Sequence, residues 1–153
     1  MELVARKLEK LRGYLQELEE LSDISLEAYE RNVPAKRAIE RLLQIIIETA
    51  CDINGHFIAK LARKAPATRR ASFYGMVELG ILEPETAEQL ARSVGLRNRL
   101  VHDYNTLDNR LVHAAIREAL EQYAGYGRIM HRYILEDGGS ASDHTTKGDD
   151  PPL

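Results

Sequence analysis

One stretch of this chain gathers side chains able to act on a phosphodiester: Leu96-Arg97-Asn98-Arg99-Leu100-Val101-His102-Asp103-Tyr104. Histidine both takes and gives protons near neutral pH, so His102 can deprotonate an RNA 2′-hydroxyl or protonate the leaving oxygen. Arginine stays charged and grips phosphate oxygens in a planar fork, which suits Arg97 to stabilising charge in a transition state. Asn98 can orient the substrate or the imidazole. This route needs no metal, and it ends in a 2′,3′-cyclic phosphate and a 5′-hydroxyl. On a helix Asn98 and His102 share a face, whereas Arg97 and His102 do not. A long arginine side chain, or a helix ending near Val101, would still bring the two together. Residue types alone favour a plain helix end with solvated arginines and a capping histidine.

The elements around this stretch are those of a helical bundle. Val4, Leu8, Leu11, Leu15 and Leu18 follow steps of four and three, one face of a helix. Ser25 suits the N-cap of a short helix through Glu30, and Pro34 suits the first turn of the next. From Ala38 to Leu61 the apolar positions are dense enough for burial on several sides, which predicts a central helix that also meets a second subunit. Ala65-Pro66 ends it. Thr68 caps a helix that Gly80 closes. Pro84 opens another, which Gly95 kinks or pauses. Thr106 caps a last helix with Leu107, Leu111, Ala114, Ala115, Ala119, Leu120, Tyr123, Met130 and Ile134 inside. After Asp137 almost nothing can be buried, so the expected division is a bundle over 1–137 and a disordered tail over 138–153. The expected fold is all-α, an up-and-down bundle of four to five helices, forming a homodimer.

Composition excludes several classes. With Lys+Arg 21 against Asp+Glu 24, bulk charge does not coat nucleic acid. A single cysteine excludes an intrachain disulfide framework and a cysteine-based zinc site, which fits a cytoplasmic protein. No apolar run reaches the ~20 residues of a membrane span. The charged, amphipathic start does not read as a signal peptide. Metal-ligand spacings are absent, and so is a Gly-rich phosphate loop, so neither a metal nor another cofactor is expected. Locally the chain is basic: Lys60, Arg63, Lys64, Arg69 and Arg70 fall in a stretch without acids, and Arg99 follows, a set that either binds an RNA backbone or forms a solvated surface. His56, Cys51, Phe73 and Tyr74 read as packing residues.

Arg97, His102 and Tyr104, with Asn98 after the arginine, resemble the R-x4-H-x-Y signature of HEPN-domain toxins of the HepT type. The dense central helix with Asp52-Ile53-Asn54-Gly55-His56, the Phe73-Tyr74 helix and the final long helix are similar to that family too, over about residues 3–135. The resemblance implies a HEPN-like fold and a metal-independent endoribonuclease acting on tRNA or mRNA. It implies a homodimer with two motifs facing across a cleft, as the toxin of a type VII toxin–antitoxin system. The partner it implies is a minimal nucleotidyltransferase (MNT) antitoxin that moves AMP from ATP onto Tyr104. An AMP there adds charge and bulk beside Arg97 and His102 and competes for the phosphate site. The alternative is a non-catalytic module that recruits or positions the nucleotidyltransferase, with the motif as a docking surface.

Overall fold

The computed structural model describes residues 2–147, with side-chain surroundings for residues 2–136. Six α-helices and one 3-10 turn occur among the described residues, in the order α1 (Glu2–Leu21), α2 (Leu26–Arg31), α3 (Val33–Leu61), α4 (Arg69–Glu78), α5 (Pro84–His102), the 3-10 turn Tyr104–Thr106, and α6 (Asn109–Lys147). Four of the helices are long. The short α2 and α4 complete the set, and no described residue is in a strand.

Local chemistry sets most of the boundaries. The Ser25 and Thr68 hydroxyls accept from the amides of Ala28 and Ala71, and the Asn32 side chain accepts from Ala35. Each satisfies an amide that a helix start leaves unpaired. At the end of α4, Gly80 adopts φ +75°, Ile81 N–H donates to Met76 C=O, and Gly80 N–H donates to Val77 C=O. This is a Schellman closure, and its left-handed position favours glycine. Two expectations fail here. Gly95 does not pause α5, which runs unbroken to His102. Asp108, not Thr106, caps α6: its carboxylate accepts from the Arg110 amide, while the Thr106 hydroxyl donates back to Asp103 C=O and holds the 3-10 turn.

Residue pairs give the helix directions. On α3 and α5, Glu40 meets Tyr104 and Glu48 meets Arg97, so the two run antiparallel. Ala50 and Asn54 meet Tyr126, and Phe57 meets Tyr133, so α3 and α6 run parallel. Ile24 meets His113 and Glu19 meets Arg117, so α6 opposes α1. The four long helices therefore alternate up and down, as expected, and α4 lies alongside α3.

The core sits around α3, which touches every other helix. Ile39, Leu42, Leu43, Ile46, Ile47, Ala50, Ile53, Phe57 and Ile58 are all buried within one chain. Most of the wide apolar stripe is thus covered by α1, α4, α5 and α6, while Ile45 is half-buried and Leu61 exposed. On α6, Ala119, Leu120, Tyr123 and Met130 are buried as expected, together with Val112, Ile116 and Tyr126, whereas Leu111 and Ala114 are exposed. Tyr123, expected inside, is fully enclosed, as are Tyr29 and Tyr126, whereas Tyr74, expected to pack, is exposed. The backbone of α6 continues to Lys147, past the boundary expected at 137/138; residues 148–153 of the expected tail lie outside the described residues. No helix of the described chain is long and apolar enough to cross a membrane.

Candidate active site on the polar stripe between α3 and α5

The central helix carries three polar residues at helical spacing within its apolar surroundings: Glu40, Gln44 and Glu48. Steps of four place them on one slowly rotating stripe. This stripe meets the C-terminal half of α5 and the 3-10 turn, where Arg97 and Tyr104 stand.

Arg97 is buried despite its charge. Its Nε donates to Glu48 Oε1 at 2.8 Å, one terminal nitrogen lies 2.8 Å from the same oxygen, and the other terminal nitrogen donates to Asn98 Oδ1 at 3.3 Å. A guanidinium has five N–H groups, and these contacts do not use all of them. Glu48 thereby fixes the plane of the fork, and the Arg97 side chain keeps 10% of its surface exposed. Gln44 also donates to Glu48 Oε1, at 3.1 Å. Burial raises the Glu48 carboxyl, but the hydrogen bonds from Gln44 and Arg97 and the charges of Arg97 and Arg69 outweigh it, so the group lies below the usual carboxylate range.

His102 is the last residue of α5 and is exposed, as is Asn98 four residues before it. Because α5 continues through Val101, the two motif residues stay on different sides of the helix: Arg97 turns inward to Glu48 and His102 outward to solvent. The structure brings Arg97 together with Asn98, but it does not bring Arg97 to His102 within one chain.

Tyr104 starts the 3-10 turn and is 38% exposed, enough for its ring edge to be reached from outside. Its hydroxyl donates to Glu40 Oε1 at 3.1 Å. The Arg37 guanidinium lies 5.0 Å over its ring and also donates to Glu40 Oε1 at 3.2 Å. Arg37, Glu40, Arg41, Gln44, Leu100 and Tyr104 line an open hollow of about 360 Å³.

The six basic candidates divide into groups. Arg69 and Arg70 begin α4 beside the site: the Arg69 charge acts on Glu48, and an Arg70 terminal nitrogen lies 3.4 Å from where a Cβ on Gly95 would stand. Lys60, Arg63 and Lys64 lie beyond, since twelve residues of α3 separate Glu48 from Lys60, about 18 Å of rise. Lys64 faces Glu78 at 4.0 Å. Arg99 lines a separate groove between α5 and α6, of about 550 Å³, with Leu96, Leu107, Leu111, Ala115 and Ala119.

Residues outside the stripe serve the scaffold. Burial pushes the Cys51 thiol up to about 12, which makes it a packing residue rather than a nucleophile. His113 is tied to Ile24 C=O at 2.7 Å. No group of three or more His, Cys, Asp or Glu side chains suited to a metal ion occurs among the described residues. Sequence reasoning missed Glu40, Glu48 and Arg37. Two acids eight residues apart with a glutamine between them, on the most apolar helix, were the available signal.

Comparison with known proteins identifies the family. The "Ribonuclease HepT-like" family profile matches residues 11–126. A curated relative from Aphanizomenon flos-aquae, named tRNA nuclease HepT, is 39% identical over 87% of this chain and 90% of its own length. A second, the mRNA nuclease HepT of Shewanella oneidensis, is 30% identical over 53% of this chain and 61% of its own length. Among solved structures, the tri-AMPylated Shewanella oneidensis HEPN toxin in complex with its MNT antitoxin superposes with a TM-score of 0.78 at 20% identity, over 86% of this chain and 98% of that one. A toxin–antitoxin complex with AMP-PNP gives the same TM-score at 18% identity, over 86% and 99%. With the signature residues placed on this bundle and a match spanning most of the chain, the protein belongs to the Ribonuclease HepT-like family.

Proposed function

We propose that this protein is the toxin of a type VII toxin–antitoxin pair, a cytoplasmic, metal-independent endoribonuclease whose site contains Arg97, His102 and Asn98. The observation that carries the reading is the buried Arg97, held by Glu48, on the same helix as an exposed His102. Arg97 would bind the scissile phosphate and stabilise the charge that builds on it. His102 would take the 2′-hydroxyl proton or deliver one to the 5′ oxygen. Arg69 and Arg70 are placed to extend the anion site along an RNA backbone; Lys60, Arg63 and Lys64 would act further along it.

One chain keeps Arg97 and His102 apart, and this supports a composite site in a homodimer. The surface offered for it is the groove between α5 and α6, where Leu111 is 52% exposed beside Leu96 and Leu107. A two-fold axis there would bring two α5 ends together and supply one histidine to take a proton and another to give it. Silencing would follow from transfer of AMP to Tyr104 by a minimal nucleotidyltransferase antitoxin. The named tRNA and mRNA nucleases among the relatives make those RNAs the first substrates to try.

The test is cleavage of tRNA and total RNA in EDTA by protein whose intact mass excludes AMP on Tyr104. Arg97→Ala and His102→Ala serve as controls. Cleavage that survives EDTA and disappears in both variants supports the reading. No cleavage by unmodified dimer, together with loss of nucleotidyltransferase binding in the variants, would replace it with a docking module.

A further inference from the structure

Glu40 is an unusual residue to find in this core. Its side chain is 7% exposed, and Oε2 is buried without a hydrogen-bond partner. The nearby Tyr29 hydroxyl is buried and unpaired as well. Burial, then the Glu40 charge, push the Tyr29 phenol well up against the opposing effect of Arg37. Burying a carboxylate that keeps one oxygen unsatisfied is costly, and an apolar residue at this point of α3 would avoid the cost. What the carboxylate does hold is the Tyr104 hydroxyl.

We propose that Glu40 is the proton acceptor for nucleotidyl transfer to Tyr104, so that this chain supplies the base for its own modification, with Arg37 and Arg41 receiving the phosphate. The proposal rests on the reading of Tyr104 as the AMP acceptor. The Tyr104 oxygen attacks the α-phosphorus of a nucleoside triphosphate and the new O–P bond forms. The bond from that phosphorus to the bridging oxygen breaks, and pyrophosphate leaves with its electron pair. The phenolic proton passes to Glu40 Oε1, which already accepts that hydrogen bond. A carboxylate taking a hydroxyl proton during attack on phosphorus is established chemistry. Arg37, over the Tyr104 ring and paired to the same oxygen, keeps Glu40 in place; with Arg41 it lines the hollow that the incoming phosphate would enter.

The test follows AMP incorporation by intact mass and site mapping, from pH 6 to pH 9 (about one unit short of the usual phenol pKa). The first arm uses the full chain with its cognate nucleotidyltransferase and Mg-ATP. Glu40→Gln is expected to slow modification on the order of 100-fold at neutral pH. The deficit should shrink towards pH 9, as phenolate forms without help. A Glu40→Gln rate equal to the parent, or a deficit independent of pH, would overturn the proposal, the latter marking a structural role. The second arm omits the partner and uses adenosine 5′-phosphorimidazolide, which transfers AMP with imidazole as leaving group. It needs no variant, so a misfolded Glu40→Gln does not end the test. Tyr104 should label faster than the exposed Tyr74 at neutral pH, and equal labelling overturns the proposal. An unmodified parent in the first arm, with selective Tyr104 labelling in the second, sinks the partner reading and leaves Glu40 as the base.

Discussion

Replacing Glu48 by glutamine separates a positioning role from a merely structural one. The change keeps volume and one acceptor oxygen but removes the charge facing Arg97. Breaking a buried ion pair from one side costs about 3–5 kcal/mol. Here the Arg97 side chain is 10% exposed and Glu48 25%, so part of the vacated site rehydrates. The remaining acceptor oxygen also still serves one N–H. The cost is therefore about 1–2 kcal/mol, a fall in Tm of about 2–8 °C for a chain of this size. Activity should fall further than stability. Once the fork swings out of plane the phosphate is misplaced, and a displacement of about 1 Å costs about 100-fold in rate. The assay is RNA cleavage by unmodified protein at a temperature where parent and variant are both fully folded. Acid unfolding supplies a second readout. The Glu48 carboxyl is depressed in the folded state, so its contribution is present above the unfolded value of about 4.3 and is lost as pH falls below it. That limb of the stability curve should be missing in Glu48→Gln. Cleavage within twofold of the parent would refute the positioning argument, and an unchanged acid limb would refute the ion-pair argument.

Other outcomes follow from the same packing. Tyr126→Phe removes the donor to Asn54 Oδ1 and strands that acceptor in the core, while Ala50 C=O keeps its bond within α3; the change should cost about 1–3 kcal/mol by denaturant unfolding. Cys51 should resist iodoacetamide at pH 8 in the folded protein and react at once in denaturant; rapid native alkylation would contradict its burial. Arg69→Ala and Arg70→Ala should each reduce the salt dependence of RNA binding by about one phosphate contact, whereas Lys64→Ala, farther along and facing Glu78, should change it less. We further propose that the bundle ends at 137: removing 138–153 should leave the melting temperature within about 2 °C, as expected when no core contact is lost.

Much of the fold was legible because local chemistry decided it. Ser25, Asn32, Thr68, Gly80 and Pro84 mark helix ends through interactions with their own neighbours, and these needed no knowledge of the third dimension. The face of α6 was legible only in part: Ala119, Leu120, Tyr123 and Met130 are buried as their spacing indicates, but in the first turns two stripes compete, and only packing against the other helices selects Val112 and Ile116 over Leu111 and Ala114. The site divides the same way. Arg97, His102 and Tyr104 form a spaced motif within nine residues of one another. Glu40 and Glu48 act across 64 and 49 residues of sequence, and among surface acids nothing marks them until α3 and α5 are set antiparallel. Most of the apolar excess of α3, on which the dimer expectation rested, is consumed inside one chain, and the groove between α5 and α6 is the surface proposed for it instead.

The stripe on α3 is also a ruler. Glu40 and Glu48 are two turns apart on one helix, about 12 Å of rise, and each holds one partner from the facing segment. The place where a nucleotide would be attached and the place where RNA would be gripped are therefore set apart by the rise of α3. In such an arrangement silencing is a matter of reach. A substituent rooted at Tyr104 blocks Arg97 only when it is long enough to cover the interval, so the extent of inhibition would be graded by the length of what is attached rather than by a change of shape in the protein.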